Sequence, residues 1–346
     1  MSKVLSFMRR ERLSILLLIF VVIMTAVILM PQERGEKARP AQPKQTHADQ
    51  LKQQAQVEEL ISKDRSLAFV LGMASLLFIL VVLLGIIVDT MLIGSRLKGK
   101  RLSISTYVPA TVQWGIWDVC RVAILFLFFG YCLLLIEAFL SRVFPVVKDD
   151  NFRMILNSSI LDSVTVILVL YYTVGQYREK LVALGLTLRN FSKNVFYGVV
   201  GYVAVVPVLV GILVVIAFLL GIFKYVPEKQ AVVELFLKEK STPLLVYTSL
   251  FAAIAGPIIE ELFFRGFMYN ACRKHVGIFW ATLISAATFA GLHAHAVGFF
   301  PILALGVVLA YLYEKTGSLV SSITVHMIHN LSMVGMVFLV KQMGVY

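Results

Sequence analysis

The polar residues that could do chemistry lie in three short groups within the apolar C-terminal third of the chain. They are Glu260, Glu261 and Arg265 in "EELFFR", His293 at the end of "FAGLH", and His326 and Asn330 in "HMIHN". Ionisable side chains at membrane depth cost about 2.5–3.5 kcal/mol on insertion scales, and they persist where they face water or one another. We therefore interpret the three groups as parts of one candidate site.

Helix geometry assigns different tasks to the two adjacent glutamates. Neighbouring residues on an α-helix point about 100° apart, so Glu260 and Glu261 are not expected to face one point. Glu261 and Arg265 are four residues apart and share a face, which predicts an ion pair that neutralises Glu261. Glu260 is then the carboxylate left for chemistry. The same spacing places His326 and Asn330 together.

These side chain types suit the hydrolysis of an amide bond. Glu260 and His293 could position a water molecule and remove its proton. His326 and Asn330 could donate hydrogen bonds to the oxyanion that develops. No buried serine or cysteine is clearly paired with a base, so a covalent nucleophile is not indicated. The other histidines, among them His275, His295 and His329, are expected to be incidental.

A metal site is the alternative chemistry for the same residues. One carboxylate and two histidines are a common catalytic zinc set, and Glu260, His293 and His326 would supply it. Their spacing differs from the local HExxH pattern of many zinc proteases, so a divalent metal such as zinc is the weaker interpretation. The residues leave this alternative open.

The elements that must position the candidate site are transmembrane helices. The chain is 59% hydrophobic and 15% charged, whereas a soluble domain is roughly a quarter charged. Residues 13–30 carry no charge, and about 18 or more such residues indicate a transmembrane helix. We predict an all-α, polytopic integral membrane helical bundle with about eight to ten apolar segments.

The segment 243–274 decides the topology around the site. Glycine followed by proline commonly interrupts a helix, so the segment is either one long helix kinked at Pro257 or two elements broken at Gly256-Pro257. The residues leave both open, and the expected meeting of Glu260 with His293 favours two elements, with a helix that begins at Pro257. A short turn at 273–277 would then return the chain in the opposite direction. This would bring Glu260 to the depth of His293, in a site that opens to the cytoplasmic side.

Charge distribution sets the expected orientation and excludes nucleic acid as a partner. The net charge is +12, but short basic loops such as 177–194 explain it by the excess of Lys and Arg on the cytoplasmic side. Arg9, Arg10 and Arg12 predict a cytoplasmic N-terminus. We expect three regions: N-terminal anchor spans at 1–112 with a polar loop at 31–66, linking spans at 113–180, and a core at 181–346.

The three groups together resemble the CAAX-protease and bacteriocin-processing family of intramembrane proteases, the type II CAAX prenyl endopeptidases. The family pattern is EExxxR, FxxxH and HxxxN, which here is 260–265, 289–293 and 326–330. The resemblance covers roughly residues 180–340. It implies a peptidase that cuts near the membrane surface, with Glu260 and His293 activating water.

The resemblance also implies the remaining roles. His326 and Asn330 would stabilise the oxyanion, and Glu261, Arg265 and Phe289 would support the site. The substrate would be a peptide or a membrane protein in the lipid bilayer, and the expected location is a bacterial inner membrane. The family is described both as metal-dependent and as using glutamate-activated water. The first 110 or so residues lie outside its pattern, and the oligomeric state is not predicted.

Two other functional classes use the same residues. An ion-coupled transporter would line its path with them, and it would place further ionisable residues at membrane depth on other helices. A non-catalytic scaffold or immunity protein would keep the fold without the reaction. Every motif position is present, which favours the protease.

Overall fold

The chain is an integral membrane protein built from helices. The computed structural model describes residues 11–29, 55–56, 58–99, 111–144, 149–227 and 230–344. Within these ranges there is no β-strand, and eight helices are long and apolar enough to cross a membrane. The all-α polytopic prediction, with about eight to ten apolar segments, is confirmed.

The α-helices, in chain order, are α1 (Arg12–Leu29), α2 (Arg65–Leu97), α3 (Ile116–Leu140), α4 (Asp150–Leu170), α5 (Phe191–Phe223), α6 (Ala231–Lys238), α7 (Thr242–Leu250), α8 (Gly256–Glu261), α9 (Asn270–Leu292), α10 (Ala296–Thr316) and α11 (Leu319–Met343). Wider π-helical turns occupy Tyr171–Gln176, Phe251–Ala255 and Leu262–Tyr269, and a 3₁₀ turn occupies Leu181–Leu184. Large apolar side chains remain exposed on many of these helices, as lipid-facing surfaces require.

The helices group into two compact units. One unit comprises Met1–Pro40 and Val112–Lys180, and therefore contains α1, α3 and α4. The other comprises Ala41–Thr111 and Leu181–Tyr346, and it contains α2 together with α5 to α11. All residues of the candidate site belong to the second unit.

The predicted break at Gly256-Pro257 is wrong. Residues 242–276 form one continuous helical run, and Gly256 itself has helical angles, φ −54° and ψ −55°. The π-helical turn at Phe251–Ala255 directly precedes the proline, so the run accommodates the ring without ending. Glu260 therefore lies in the interior of a long helical run, and the argument for a cytoplasmic opening loses its basis.

The predicted turn at 273–277 is confirmed. Gly277 has φ 77° and ψ 177°, angles that a residue with a side chain rarely adopts, and the chain reverses there. The returning limb packs against the outgoing one, since the Ser285 hydroxyl donates to the Phe264 carbonyl at 3.1 Å. Glu260 lies 17 residues before Gly277 and His293 lies 16 residues after it. The reversal, rather than a helix start, brings these two residues to a similar depth.

Small residues let the helices of the second unit approach closely around the site. A side chain carbon added at Gly198 of α5 would lie 2.5 Å from Thr324 of α11, and one at Gly306 of α10 would lie 3.0 Å from Ala286 of α9. Such contacts are how membrane helices gain van der Waals packing.

Several predictions concern residues outside the described ranges. Arg9 and Arg10, which indicated the orientation, lie there, as does most of the polar loop at 31–66. Within that loop, residues 58–63 are helical. The orientation of the termini and the three predicted regions stay predictions.

Candidate active site

The fixed part of the site is a buried ion pair between consecutive helical turns. Arg265 Nη1 donates to Glu261 Oε1 at 2.5 Å, and neither side chain is exposed. Arg265 Nη2 donates to the Gly306 carbonyl of α10 at 3.2 Å, and its guanidinium lies over the Phe289 ring at 4.6 Å. The predicted pairing of Glu261 with Arg265 is confirmed, and it joins α10 and α9 to the helical run at 242–276.

His326 lies between the two glutamates. Its Nδ1 is 3.1 Å from Glu261 Oε1, and its Nε2 is 3.5 Å from Glu260 Oε2. The two glutamates contact different nitrogens of this ring, so they do not meet at one point, but both border His326. A carboxylate only accepts hydrogen bonds when ionised, so Nδ1 carries the proton towards Glu261.

Glu260 differs from Glu261 in its exposure. Its side chain is 34% exposed, whereas that of Glu261 is fully buried. Glu260 Oε2, Glu261 Oε2 and Arg265 Nε are buried atoms without a hydrogen-bond partner in the described part of the chain. Buried polar atoms without partners are uncommon and are typical of functional sites. The cluster therefore retains capacity for further hydrogen bonds.

His293 is the exposed residue that ends α9. Its Nδ1 is 2.8 Å from the Phe289 carbonyl, which can only accept, so Nδ1 is the protonated nitrogen. In the neutral ring Nε2 is then unprotonated and can accept a proton. The Phe289 ring lies 4.8 Å from the His293 ring and 5.5 Å from the His326 ring. Between Glu260 and His293 there is no direct hydrogen bond or ion pair among the described residues.

Asn330 follows His326 by one turn of α11. Its Nδ2 donates to the backbone carbonyl of Ala252 at 2.8 Å. This bond uses one of the two hydrogens of the amide nitrogen and leaves the other available. Sequence reasoning missed Ala252, because a backbone carbonyl carries no side chain signal.

Of the other histidines, His295 caps a helix, whereas His329 lies within electrostatic range of His326 and His293. His295 precedes α10, and its Nδ1 accepts from the Gly298 amide at 3.0 Å, as a helix cap does. The His329 ring lies 6.3 Å from the Tyr202 ring.

The side chains do not fit a metal ion as they are placed. Over the described ranges, no group of three or more His, Cys, Asp and Glu side chains is arranged to hold one. The predicted set of Glu260, His293 and His326 is not among such groups, and we derive no step through a metal.

A comparison with known protein families finds a match in the region that contains the candidate site. Residues 242–332 match the sequence profile of the family described as "Type II CAAX prenyl endopeptidase Rce1-like". This range contains all three motifs and is shorter than the 180–340 expected from them.

A curated relative also matches part of the chain. The "Putative membrane peptidase YdiL" of Bacillus subtilis (strain 168) is 29% identical over 113 residues. The match covers 33% of this chain and 44% of that protein, so it spans less than half of the relative's length. No solved structure matches the chain.

The three ordered motifs, the helical bundle that assembles them and the match over 242–332 lead to one conclusion. Over residues 242–332 the chain is similar to the type II CAAX prenyl endopeptidase family, and this similarity supports membership of the CAAX-protease and bacteriocin-processing family.

Proposed function

We propose that the chain is an intramembrane endopeptidase that hydrolyses a peptide bond near the membrane surface. The observation that carries this proposal is the asymmetry of the two glutamates. Glu261 is fully buried and neutralised by Arg265, whereas the side chain of Glu260 beside it is 34% exposed. A carboxylate of the second kind can exchange a proton with water.

Glu260 is the proposed general base. It removes a proton from a water molecule whose oxygen attacks the peptide carbonyl, and it later gives that proton to the leaving amine. His293 supports this step, because Nδ1 is occupied by the Phe289 carbonyl and Nε2 can accept a hydrogen bond from the water. The chain reverses at Gly277, so Glu260 and His293 lie at a similar depth. This supports the proposal that both act on the same water molecule.

His326 and Asn330 are the proposed oxyanion stabilisers. The free hydrogen of Asn330 Nδ2 can be donated to the oxyanion, and the amide is held by its bond to Ala252. His326 can donate to the oxyanion from Nε2 when that nitrogen carries a proton, and Nε2 lies on the Glu260 side of the ring. Removing one such donor typically lowers kcat about 10²–10³-fold.

The substrate is proposed to be a peptide segment or another membrane protein presented from the lipid bilayer. The family description names prenyl endopeptidases, and the matched relative is a bacterial protein. A bacterial inner membrane with a cytoplasmic N-terminus suits the chain's basic loops.

The test uses the full chain purified in detergent. Wild type, Glu260→Gln and His293→Ala are incubated with a membrane-tethered peptide library, and cleavage is read by mass spectrometry. We expect wild type to cleave and Glu260→Gln to lose about 10²–10⁴-fold of the rate, the usual range for a general base. Both variants should keep the wild-type unfolding temperature.

Two further results decide the proposal. Cleavage by wild type should persist with a chelator, since no step above passes through a metal. Loss with chelator, restored by zinc, would instead make Glu260, His293 and His326 ligands. Equal cleavage by wild type and Glu260→Gln, or none by folded wild type against a broad library, would reject the protease in favour of a scaffold or transporter.

A further inference from the structure

The carbonyl of Ala252 lies where the helical run widens into a π-helical turn. In such a turn the amide of residue i donates to the carbonyl of residue i−5 rather than i−4. The amide of Gly256 follows this pattern and donates to the Phe251 carbonyl. The carbonyl of Ala252 is the next acceptor along the run.

Neither backbone donor within reach is available to Ala252. The π-helical partner would be residue 257, which is a proline and has no amide hydrogen. The α-helical partner would be the amide of Gly256, which is directed to Phe251. A buried carbonyl without a donor is unfavourable, and the Asn330 side chain fills the place at 2.8 Å.

The bond has a consequence for Asn330 beyond satisfying a carbonyl. A side chain amide can rotate by 180° and exchange its oxygen and nitrogen, but only the nitrogen can donate to Ala252. The contact therefore fixes which end of the amide is the donor and holds its second hydrogen in one direction. Preorganised donors of this kind are what an oxyanion needs.

We propose that Pro257 is a positioning residue for Asn330. By withholding an amide hydrogen, it keeps the Ala252 carbonyl free to orient the asparagine. The inference rests on the proposed role of Asn330 as an oxyanion stabiliser. It gives the proline that precedes Glu260 a task other than breaking the helix, which it does not do.

Replacing the proline restores the missing donor. Pro257→Ala introduces an amide that competes for the Ala252 carbonyl and releases Asn330. We expect kcat to fall about 10-fold with KM nearly unchanged. This loss is smaller than the loss in kcat on removing an oxyanion donor altogether, because Asn330 is still present. Combined with Asn330→Ala, the change should add nothing further, because both act through one interaction. Pro301→Ala in α10, a helical proline away from the site, should leave kcat unchanged.

A second replacement at position 257 distinguishes the effect of the missing amide hydrogen from that of the proline ring. Lactic acid at position 257, introduced as an α-hydroxy acid, has the alanine side chain but an ester oxygen in place of the amide. If the amide hydrogen is the cause, this variant recovers most of the wild-type kcat. If it is as slow as Pro257→Ala, the ring or its packing is responsible and the inference is wrong.

A readout that does not depend on cleavage keeps the two proposals distinguishable. The chain has six asparagines, so the Asn330 side chain signal in protein labelled with ¹⁵N-asparagine can be assigned by its loss in Asn330→Ala. Pro257→Ala should shift that signal, and the lactic acid variant and Pro301→Ala should not. An unshifted signal overturns the inference whatever the activity. A shifted signal with an inactive wild type supports the contact and rejects the protease.

Discussion

Acidic and basic side chains pair at several places among the described membrane helices, and two of these groups differ clearly in their hydrogen bonds. The site cluster is Glu260, Glu261, Arg265 and His326 in the second unit. The Arg121 cluster is Glu11, Asp118, Arg121 and Tyr177 in the first unit. Each contains two carboxylates and an arginine, so residue types alone do not separate them.

In the Arg121 cluster every carboxylate oxygen accepts a hydrogen bond. Arg121 donates to both oxygens of Glu11 and, at 2.7 Å, to Asp118 Oδ1. The second oxygen of Asp118 accepts from the Gly115 amide at 2.9 Å and from the Tyr177 hydroxyl at 2.7 Å. The cluster caps the start of α3 and ties it to the residue that precedes α1. Its bonds are those of a structural ion pair.

In the site cluster three buried polar atoms lack such partners, and one glutamate is partly exposed. The difference shows that the same residue types can form a cluster in which every carboxylate oxygen is hydrogen-bonded or one that retains capacity for further hydrogen bonds. It also bears on the transporter alternative. That alternative needs exchangeable ionisable groups on other helices. The Arg121 cluster has every carboxylate oxygen engaged, whereas the buried Glu137 of α3 keeps one oxygen without a hydrogen-bond partner in the described part of the chain.

The largest expected effect is that a substitution in the site cluster lowers activity but not stability, whereas one in the Arg121 cluster lowers stability but not activity. Glu260→Gln should lower cleavage about 10²–10⁴-fold and leave the unfolding temperature unchanged. Glu11→Gln should keep cleavage and lower the free energy of unfolding by about 1.5–3 kcal/mol, the usual worth of a hydrogen bond to a charged group. Both are measured on the same detergent preparations. Loss of cleavage in folded Glu11→Gln would break the comparison.

The next largest effect concerns the two arginines. Arg265→Met leaves Glu261 buried and unpaired, which typically costs about 3–5 kcal/mol. Arg121→Met should cost less, because its side chain is 20% exposed and Asp118 keeps two other donors. Thermal unfolding in detergent measures both.

A paired replacement checks the cause of the Arg265 effect. Adding Glu261→Gln to Arg265→Met removes the stranded charge and should recover part of the stability. If the double variant is no more stable than Arg265→Met, the loss comes from packing against Phe289 rather than from charge.

The sequence predicted contacts between residues of the same helix. It missed contacts that depend on π-helical turns or on how one helix packs against another. Glu261 with Arg265 follows from a spacing of four residues, and the long apolar runs predict the spans. A short turn at 273–277 was expected between two apolar runs, and the chain turns at Gly277. These features are local, and each is determined by residues within a few turns of one another.

Two of the features that the sequence did not predict originate in the π-helical turns. They let the helical run continue through Gly256-Pro257, where an α-helix would be expected to break. The same turn frees the Ala252 carbonyl for Asn330. The insertion of His326 between two glutamates depends on how α11 packs, which no spacing in the chain encodes. The catalytic roles stay predictions until the variants are measured.

The smallest expected effect is the pH dependence of the Arg121 cluster. Burial, followed by the hydrogen bond donated to Asp118, raises the pKa of Tyr177 to about 12. In the unfolded chain a tyrosine ionises near pH 10, so between these values the folded protein must hold a proton that the unfolded chain has released. The stability from Tyr177 is therefore complete below about pH 10 and is lost as pH rises towards 12.

Tyr177→Phe tests this sign. At pH 8 the variant should unfold a few degrees below wild type, since it lacks the bond to Asp118, and the gap should close between pH 10 and 12. Because the site cluster does not include Tyr177, cleavage at pH 8 should be unchanged. A gap that stays constant to pH 12 would mean that the hydroxyl does not support Asp118, and the Arg121 cluster would then be less complete than its geometry indicates.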